Sequence, residues 1–200
     1  VRTYVDDCIV ASKDLETHAK DVAKVIDRLT SVNLILNQDK CDWAQKSVYM
    51  LGFVVTEIGT MVDPRKLKTV NNWPTPRSGK DIQRFMGLVN YFREYIPKIS
   101  QVAAPLDCLR NVTDIRSHWT DEHHKSFLAL KSILNSRALL HYPDMSKQFI
   151  IATDASQYGI AAVLTQKDEL DRTKHIAFWS SSLSPSQRRW STTKRELYAI

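Results

Sequence analysis

The sequence predicts an α+β fold. Two stretches near the start, residues 1–12 and 47–63, carry a strand-like period, residues 78–143 carry an almost unbroken helical one, and the strand period returns from Lys147. With 200 residues, 43% hydrophobic and 25% charged, the chain is long enough and apolar enough for one or two ordinary domains.

Each element follows from local pattern. VRTYVDDCIVAS, residues 1–12, makes two short β-type runs about Asp6 and Asp7, which suits a hairpin with the acidic pair at its turn. Leu15, Ala19, Val22, Ile26 and Leu29 recur at helical spacing, predicting a helix over 15–32 whose single apolar stripe packs on a sheet. SVYMLGFVVTEIGTMVD, residues 47–63, reads as two strands about a turn at Ile58 to Thr60, with Gly52 breaking the first where a backbone or ligand approaches closely. Asp63 before Pro64 starts a helix that ends near NNWPTPRSG. Ile82, Phe85, Met86, Val89 and Phe92 form one stripe of the next helix, and Pro97 and Pro105 divide shorter helices after it. A further helix starts at Thr120 and is marked by Phe127, Leu130 and Leu134. KQFIIATDAS, YGIAAVLTQ and HIAFWSSSL read as three consecutive antiparallel strands, and STTKRELYAI opens a helix with Thr193 and Glu196 at capping-box spacing.

Composition removes several classes of function. No run approaches the ~20 apolar residues of a membrane helix, so no membrane partner is expected. The start has neither the basic residues nor the apolar core of a secretory signal. Cys8, Cys41 and Cys108 are odd in number and far apart, which argues for reduced thiols rather than a disulfide framework or zinc knuckle. His118, His123 and His124 lack a completing ligand set and read as a polar helix start. Trp73, Trp119, Trp179 and Trp190 read as packing residues. The opening on Val1 rather than Met, and the close inside a helical pattern, predict an interior piece of a longer polypeptide.

Charge is unevenly spread. Residues 1–60 hold 7 Lys+Arg against 9 Asp+Glu, residues 61–143 hold 13 against 7, and residues 144–200 hold 8 against 6. A basic helical block between two pieces with exposed acids fits a protein that grips a polyanion. Two neighbouring carboxylates in an otherwise apolar run need a positive partner, because each disfavours ionisation of the other. Phosphoryl-transfer enzymes supply one as a pair of divalent ions bound by carboxylate oxygens. Adjacent Asp residues also occur at turns for conformational reasons alone.

YVDD, residues 4–7, resembles the polymerase active-site box of reverse transcriptases. The motifs after it resemble, in order, the Pol polyprotein of Ty3/Gypsy-type long-terminal-repeat retrotransposons over the entire chain. YMLGFVVTEIGTMVDPRK resembles the primer-grip hairpin and its exit; WPTPRSGKDIQRFMGLVNYFREYIP and AAPLDCLRN resemble the thumb; FIIATDAS to STTKRELYAI resembles the start of the attached ribonuclease H domain. The resemblance implies the C-terminal part of a polymerase palm at 1–60, a helical thumb and connection at 61–143, and the N-terminal part of a ribonuclease H-like domain at 144–200.

It also implies roles. Asp6 and Asp7 would be catalytic metal ligands of the polymerase, with Tyr4 beside the primer end; Met50, Leu51 and Gly52 would grip the primer; Gln83, Asn90 and Arg93, on one thumb helix, would contact the template-primer backbone. Asp154 and Glu196 would be the first two carboxylates of a two-metal ribonuclease site. The implied cofactor is Mg²⁺, with Mn²⁺ as substitute. The implied partners are an RNA template, a DNA primer, their RNA/DNA hybrid, deoxynucleoside triphosphates, and the protease and integrase of the same polyprotein. The implied location is cytoplasmic retroelement particles, with the nucleus as second compartment. A further polymerase aspartate and the fingers would lie before Val1, and two ribonuclease acids after Ile200, so this chain alone is expected to be inactive. Ser181, Gln187 and Trp190 stand where the family commonly has Arg, Glu and Tyr. The competing expectation is a decayed or host-adopted remnant that binds nucleic acid without catalysis; the intact Asp6, Asp7, Asp154 and Glu196 favour the enzyme.

Overall fold

The computed structural model describes residues 1–136 and 138–200. The first elements are a hairpin of β1 (Arg2–Tyr4) and β2 (Asp7–Ile9), then helix α1 (Leu15–Ser31), capped by the Asp14 side chain, which accepts from Thr17 N at 2.8 Å. The apolar stripe of α1 was expected on a sheet, yet none of its residues is buried and Leu15 is 73% exposed. A two-stranded leaf is too small to cover a 17-residue helix.

Strands β3 (Ser47–Met50), β4 (Phe53–Thr56) and β5 (Gly59–Val62) follow, where two strands were expected. The difference lies at Leu51 and Gly52, whose φ angles of 51° and 79° fold the supposed first strand back on itself. Positive φ at both central residues is the signature of a type I′ hairpin turn. A short strand β6 (Leu140–His141) pairs with β5 and completes an antiparallel sheet in the order β3-β4-β5-β6. Two residues carry too little periodicity to be read from sequence.

Helices α2 (Pro64–Asn71), α3 (Gly79–Tyr91), α4 (Ile99–Cys108) and α5 (Asp121–Asn135) build the main core. The expected stripe of α3 is buried throughout: Ile82, Phe85, Met86, Val89 and Phe92 are all 2% exposed or less. Phe85 meets Phe127 of α5 with ring centroids 4.7 Å apart. Ser78 and Asp81 close a capping box at the start of α3, and Thr120 and His123 close another at the start of α5, so His123 serves the helix start. Pro105 does not divide helices; it lies inside α4, where buried Ala103, Ala104 and Leu106 hold the helix together despite the lost amide.

The last unit is the three-stranded antiparallel sheet of β7 (Ile150–Ala155), β8 (Gly159–Lys167) and β9 (Thr173–Ser182), with an irregularity at Leu164/Thr165. Helix α6 (Thr192–Tyr198) follows and packs on β7. Ser191 caps α6, accepting from Lys194 N at 3.3 Å, so the expected Thr193–Glu196 box does not form. No described helix is long and apolar enough to cross a membrane.

Candidate nucleic-acid interface

The acidic pair sits at the tip of the β1–β2 hairpin. Tyr4 pairs with Asp7, leaving Val5 and Asp6 as a two-residue turn. Val5 has φ 49°, and Asp6 after it does not share the positive φ, the pattern of a type II′ turn. That first position suits glycine; a β-branched valine there is strained by about 1–3 kcal/mol. Tyr4, Asp6 and Asp7 are all exposed. The positive partner expected beside the two acids is not found, since neither makes an ion pair among the described residues. Their carboxylate oxygens are the hard donors a divalent cation prefers. Among the described residues no three His, Cys, Asp or Glu side chains converge on one metal position.

The β3–β4 turn forms a second feature. Tyr49, Met50, Leu51 and Gly52 line a cleft of about 330 Å³ with Asp63, Arg65, Lys66 and Thr69. Asp63 is the buried N-cap of α2, accepting from Arg65 N at 2.8 Å and paired with the Arg65 guanidinium at 2.8 Å, which holds its carboxyl below the usual carboxylate range. The same guanidinium lies 3.8 Å from the Tyr49 ring centroid. Arg65 and Lys66 thus give the cleft a cationic wall that sequence reasoning did not single out, although both directly follow the helix-starting proline.

The three thumb residues are not equivalent. Gln83 and Asn90 are exposed on α3, but the Gln83 amide donates to Arg110 O at 2.7 Å. Arg93 lies past the C-cap of α3, in a 3-10 turn over Arg93–Tyr95, and donates to Ser180 O of β9 at 2.7 Å. Asn90 makes no side-chain hydrogen bond among the described residues, and of the three it is the one most open to a ligand.

Asp154 lies on β7, and α6, which carries Glu196, packs on that strand. The structure adds two partners that sequence spacing could not show. Lys98 Nζ donates to Asp154 Oδ2 at 2.8 Å, and Gln101 Nε2 reaches the same oxygen at 3.4 Å. The lysine lowers the carboxyl below its ordinary range, with desolvation opposing and Gln101 assisting. Lys98 is held at φ 52° where α4 begins. Deeper in the same contact the Ser100 and Ser180 hydroxyls share a hydrogen bond, and Ser100 N donates to Ser180 Oγ at 3.1 Å. The helical block therefore meets the last sheet at β9 and β8, and the Lys98 and Gln101 side chains extend that contact to Asp154 on β7.

An acid-tipped hairpin, a basic helical block and a three-stranded sheet bearing an edge-strand carboxylate define a class: a nucleic-acid polymerase joined to a ribonuclease H-like unit. Comparison with known proteins agrees. Residues 1–55 match the family model of reverse transcriptase (RNA-dependent DNA polymerase), and residues 119–200 match that of the RNase H-like domain found in reverse transcriptase. The Transposon Tf2-3 and Tf2-4 polyproteins of Schizosaccharomyces pombe are each 34% identical over 197 residues, 98% of this chain. The chain spans 15% of the length of those relatives. The foamy viral protease-reverse transcriptase in complex with RNA/DNA hybrid superposes with a TM-score of 0.76 at 22% identity, covering 94% of this chain and 26% of that one. The same enzyme in complex with dsDNA gives 0.78 at 23% identity, covering 94% and 39%. At those identities the likeness shows the fold. The chain belongs to the reverse transcriptase family, as a region of a Ty3/Gypsy-type retrotransposon Pol polyprotein that includes polymerase and RNase H-like sequence.

The RNase H-like match begins at Trp119 and so takes in α5 and β6, which pack with the helical core and with β5.

Proposed function

We propose that this chain supplies the catalytic hairpin, primer grip and thumb of an RNA-directed DNA polymerase, and opens the ribonuclease H unit that degrades the RNA strand of the hybrid. The observation that carries the reading is the β1–β2 tip, where a strained two-residue turn displays Asp6 beside Asp7 of β2, with neither in an ion pair among the described residues. Strain and like-charge repulsion at one exposed turn have no structural return, and they match a site built to receive divalent metal. Asp6 and Asp7 would hold Mg²⁺ or Mn²⁺, which would supply the charge that activates the primer 3′ oxygen and stabilises the leaving phosphate. Tyr4 borders the primer end. Met50, Leu51 and Gly52 approach the primer backbone, with Arg65 and Lys66 offering cations to its phosphates; Gln83, Asn90 and Arg93 lie along the template-primer.

Asp154 and Glu196 would hold the ions of the ribonuclease site, where Lys98 and Gln101 orient the Asp154 carboxylate. The substrates are then an RNA template, a DNA primer and deoxynucleoside triphosphates, with protease and integrase as neighbours in the polyprotein and cytoplasmic particles as the place of action. The test is binding of this chain to an RNA/DNA hybrid across salt concentrations. Affinity should fall tenfold or more, roughly, between 50 and 200 mM salt, because basic side chains release counterions from several phosphates. Salt-independent or undetectable binding overturns the assignment.

A further inference from the structure

We propose that Tyr91 is a positioning residue for the β3–β4 turn: its hydroxyl holds the Leu51–Gly52 peptide in one orientation, and so fixes the face of the primer grip that presents an N–H. The proposal rests on reading residues 50–52 as that grip. Tyr91 is the last residue of α3, and its hydroxyl donates to Leu51 O at 2.5 Å. The ring is stacked on Phe53, centroids 5.6 Å apart and planes 20° apart, and meets the edge of Phe92 at 5.0 Å. A side chain added at Gly52 would touch the same ring, its Cβ 3.5 Å from Tyr91 Cε1. The tyrosine is therefore held against two rings, bonded to Leu51 O and bordering the open side of Gly52.

The Leu51–Gly52 order already favours one orientation, and Tyr91 secures it. Two-residue hairpin loops adopt type I′ or type II′, and both match the twist of the flanking strands. The two differ by a flip of the central peptide, which reverses the sign of φ at the second residue. Type II′ suits glycine at its first position, because the flip takes that residue out of the left-handed region that a leucine can still occupy, whereas Gly52 is at ease with either sign. A second preference comes through the carbonyl of Leu51. In the observed I′ form, with φ 51° and 79°, it faces the Tyr91 hydroxyl; in II′ it would turn away and leave that hydroxyl without its acceptor. Because a trans peptide is planar, the Gly52 N–H points opposite to Leu51 O and away from Tyr91. Gly52 lines the cleft with Arg65 and Lys66, so an N–H fixed there adds a directed donor beside two cations, suited to a phosphate oxygen. Asp63 N donates to Gly52 O at 3.0 Å and ties the next peptide to the start of α2. Tyr91 thereby couples the end of the thumb helix to the geometry of the grip.

Tyr91→Phe removes the hydroxyl and keeps the stacked ring. In this chain, the Gly52 amide resonance should shift and its hydrogen exchange should quicken by about fivefold, the worth of one neutral hydrogen bond. In a reverse transcriptase that includes this chain, kcat for single-nucleotide addition should fall by about the same factor while hybrid Kd stays within about twofold. An unchanged Gly52 resonance or an unchanged kcat overturns the proposal. Gly52→Asn, which tolerates the left-handed conformation but places a side chain in the cleft, separates the two readings. If it cripples addition while Tyr91→Phe does not, only the role of Tyr91 fails; if it leaves addition intact, the grip assignment fails.

Discussion

Replacing Gly159 by alanine should loosen the junction between the helical block and the last sheet. Gly159 opens β8 beneath α4, and a Cβ there would lie 2.7 Å from Ser181 O and 2.8 Å from Ser100 Cβ. Neither atom can swing aside, since one is backbone of the paired strand and the other the first side-chain carbon of a buried serine. Overpacking of this kind costs about 1–3 kcal/mol. Moving α4 away would also weaken the Ser100–Ser180 hydrogen bonds, each worth about 1 kcal/mol. The stiffer alanine backbone offsets about 0.4–1 kcal/mol. The net loss is then about 2–4 kcal/mol, read as a lower urea midpoint at unchanged slope and, for a chain of this size, a fall in Tm of roughly 4–16 °C. Ser100→Gly removes one of the two clashing atoms, so the double variant should recover about 1 kcal/mol or more relative to additivity. A Gly159→Ala protein within about 0.5 kcal/mol of the parent would refute the close approach on which the estimate is built.

Three further outcomes follow from the same structure. Lys98→Met should raise the Asp154 carboxyl towards its ordinary value, read by carboxylate NMR titration, while changing stability by less than about 1 kcal/mol because the pair is half-exposed; an unmoved titration would contradict the lysine's role. Asp63 and Asp81 are held low, by Arg65 and by Ser78 respectively, so their contribution is present above the ordinary carboxylate pKa and is lost as pH falls through their folded values. Acid unfolding should therefore set in below about pH 4, and Asp81→Asn should flatten that limb of the stability curve; an identical limb would count against it. Phe127→Ala should cost about 3–5 kcal/mol in denaturant unfolding, since it empties the centre of the buried cluster against Phe85; a loss below 1 kcal/mol, roughly, would place Phe127 outside the core.

Much of this architecture was legible because burial imposes a period. The α3 stripe, the three strands from Ile150 and the cap at Asp63 all stand where the pattern of residues puts them. Features that depend on a single backbone angle or on distant contacts were not. A leucine carries no sign that it will adopt φ 51°, so the β3–β4 turn was read as a broken strand. Pro105 reads as a breaker until the packing around α4 is known. Arg93 reads as a template-primer contact and Lys98 is not singled out by the sequence, yet they reach Ser180 and Asp154, 87 and 56 residues along the chain. The YVDD pair was the reverse case, conspicuous in sequence and simply displayed by the fold.

The most direct measurement is primer extension on an RNA template by a reverse transcriptase that includes this chain, with and without Asp6→Asn, alongside hybrid binding by the same proteins. Loss of Mg²⁺-dependent extension with hybrid Kd unchanged is the expected result, because the carboxylate at the hairpin tip serves the reacting atoms rather than the grip. Extension that survives Asp6→Asn would contradict the assignment of the YVDD hairpin as the polymerase site.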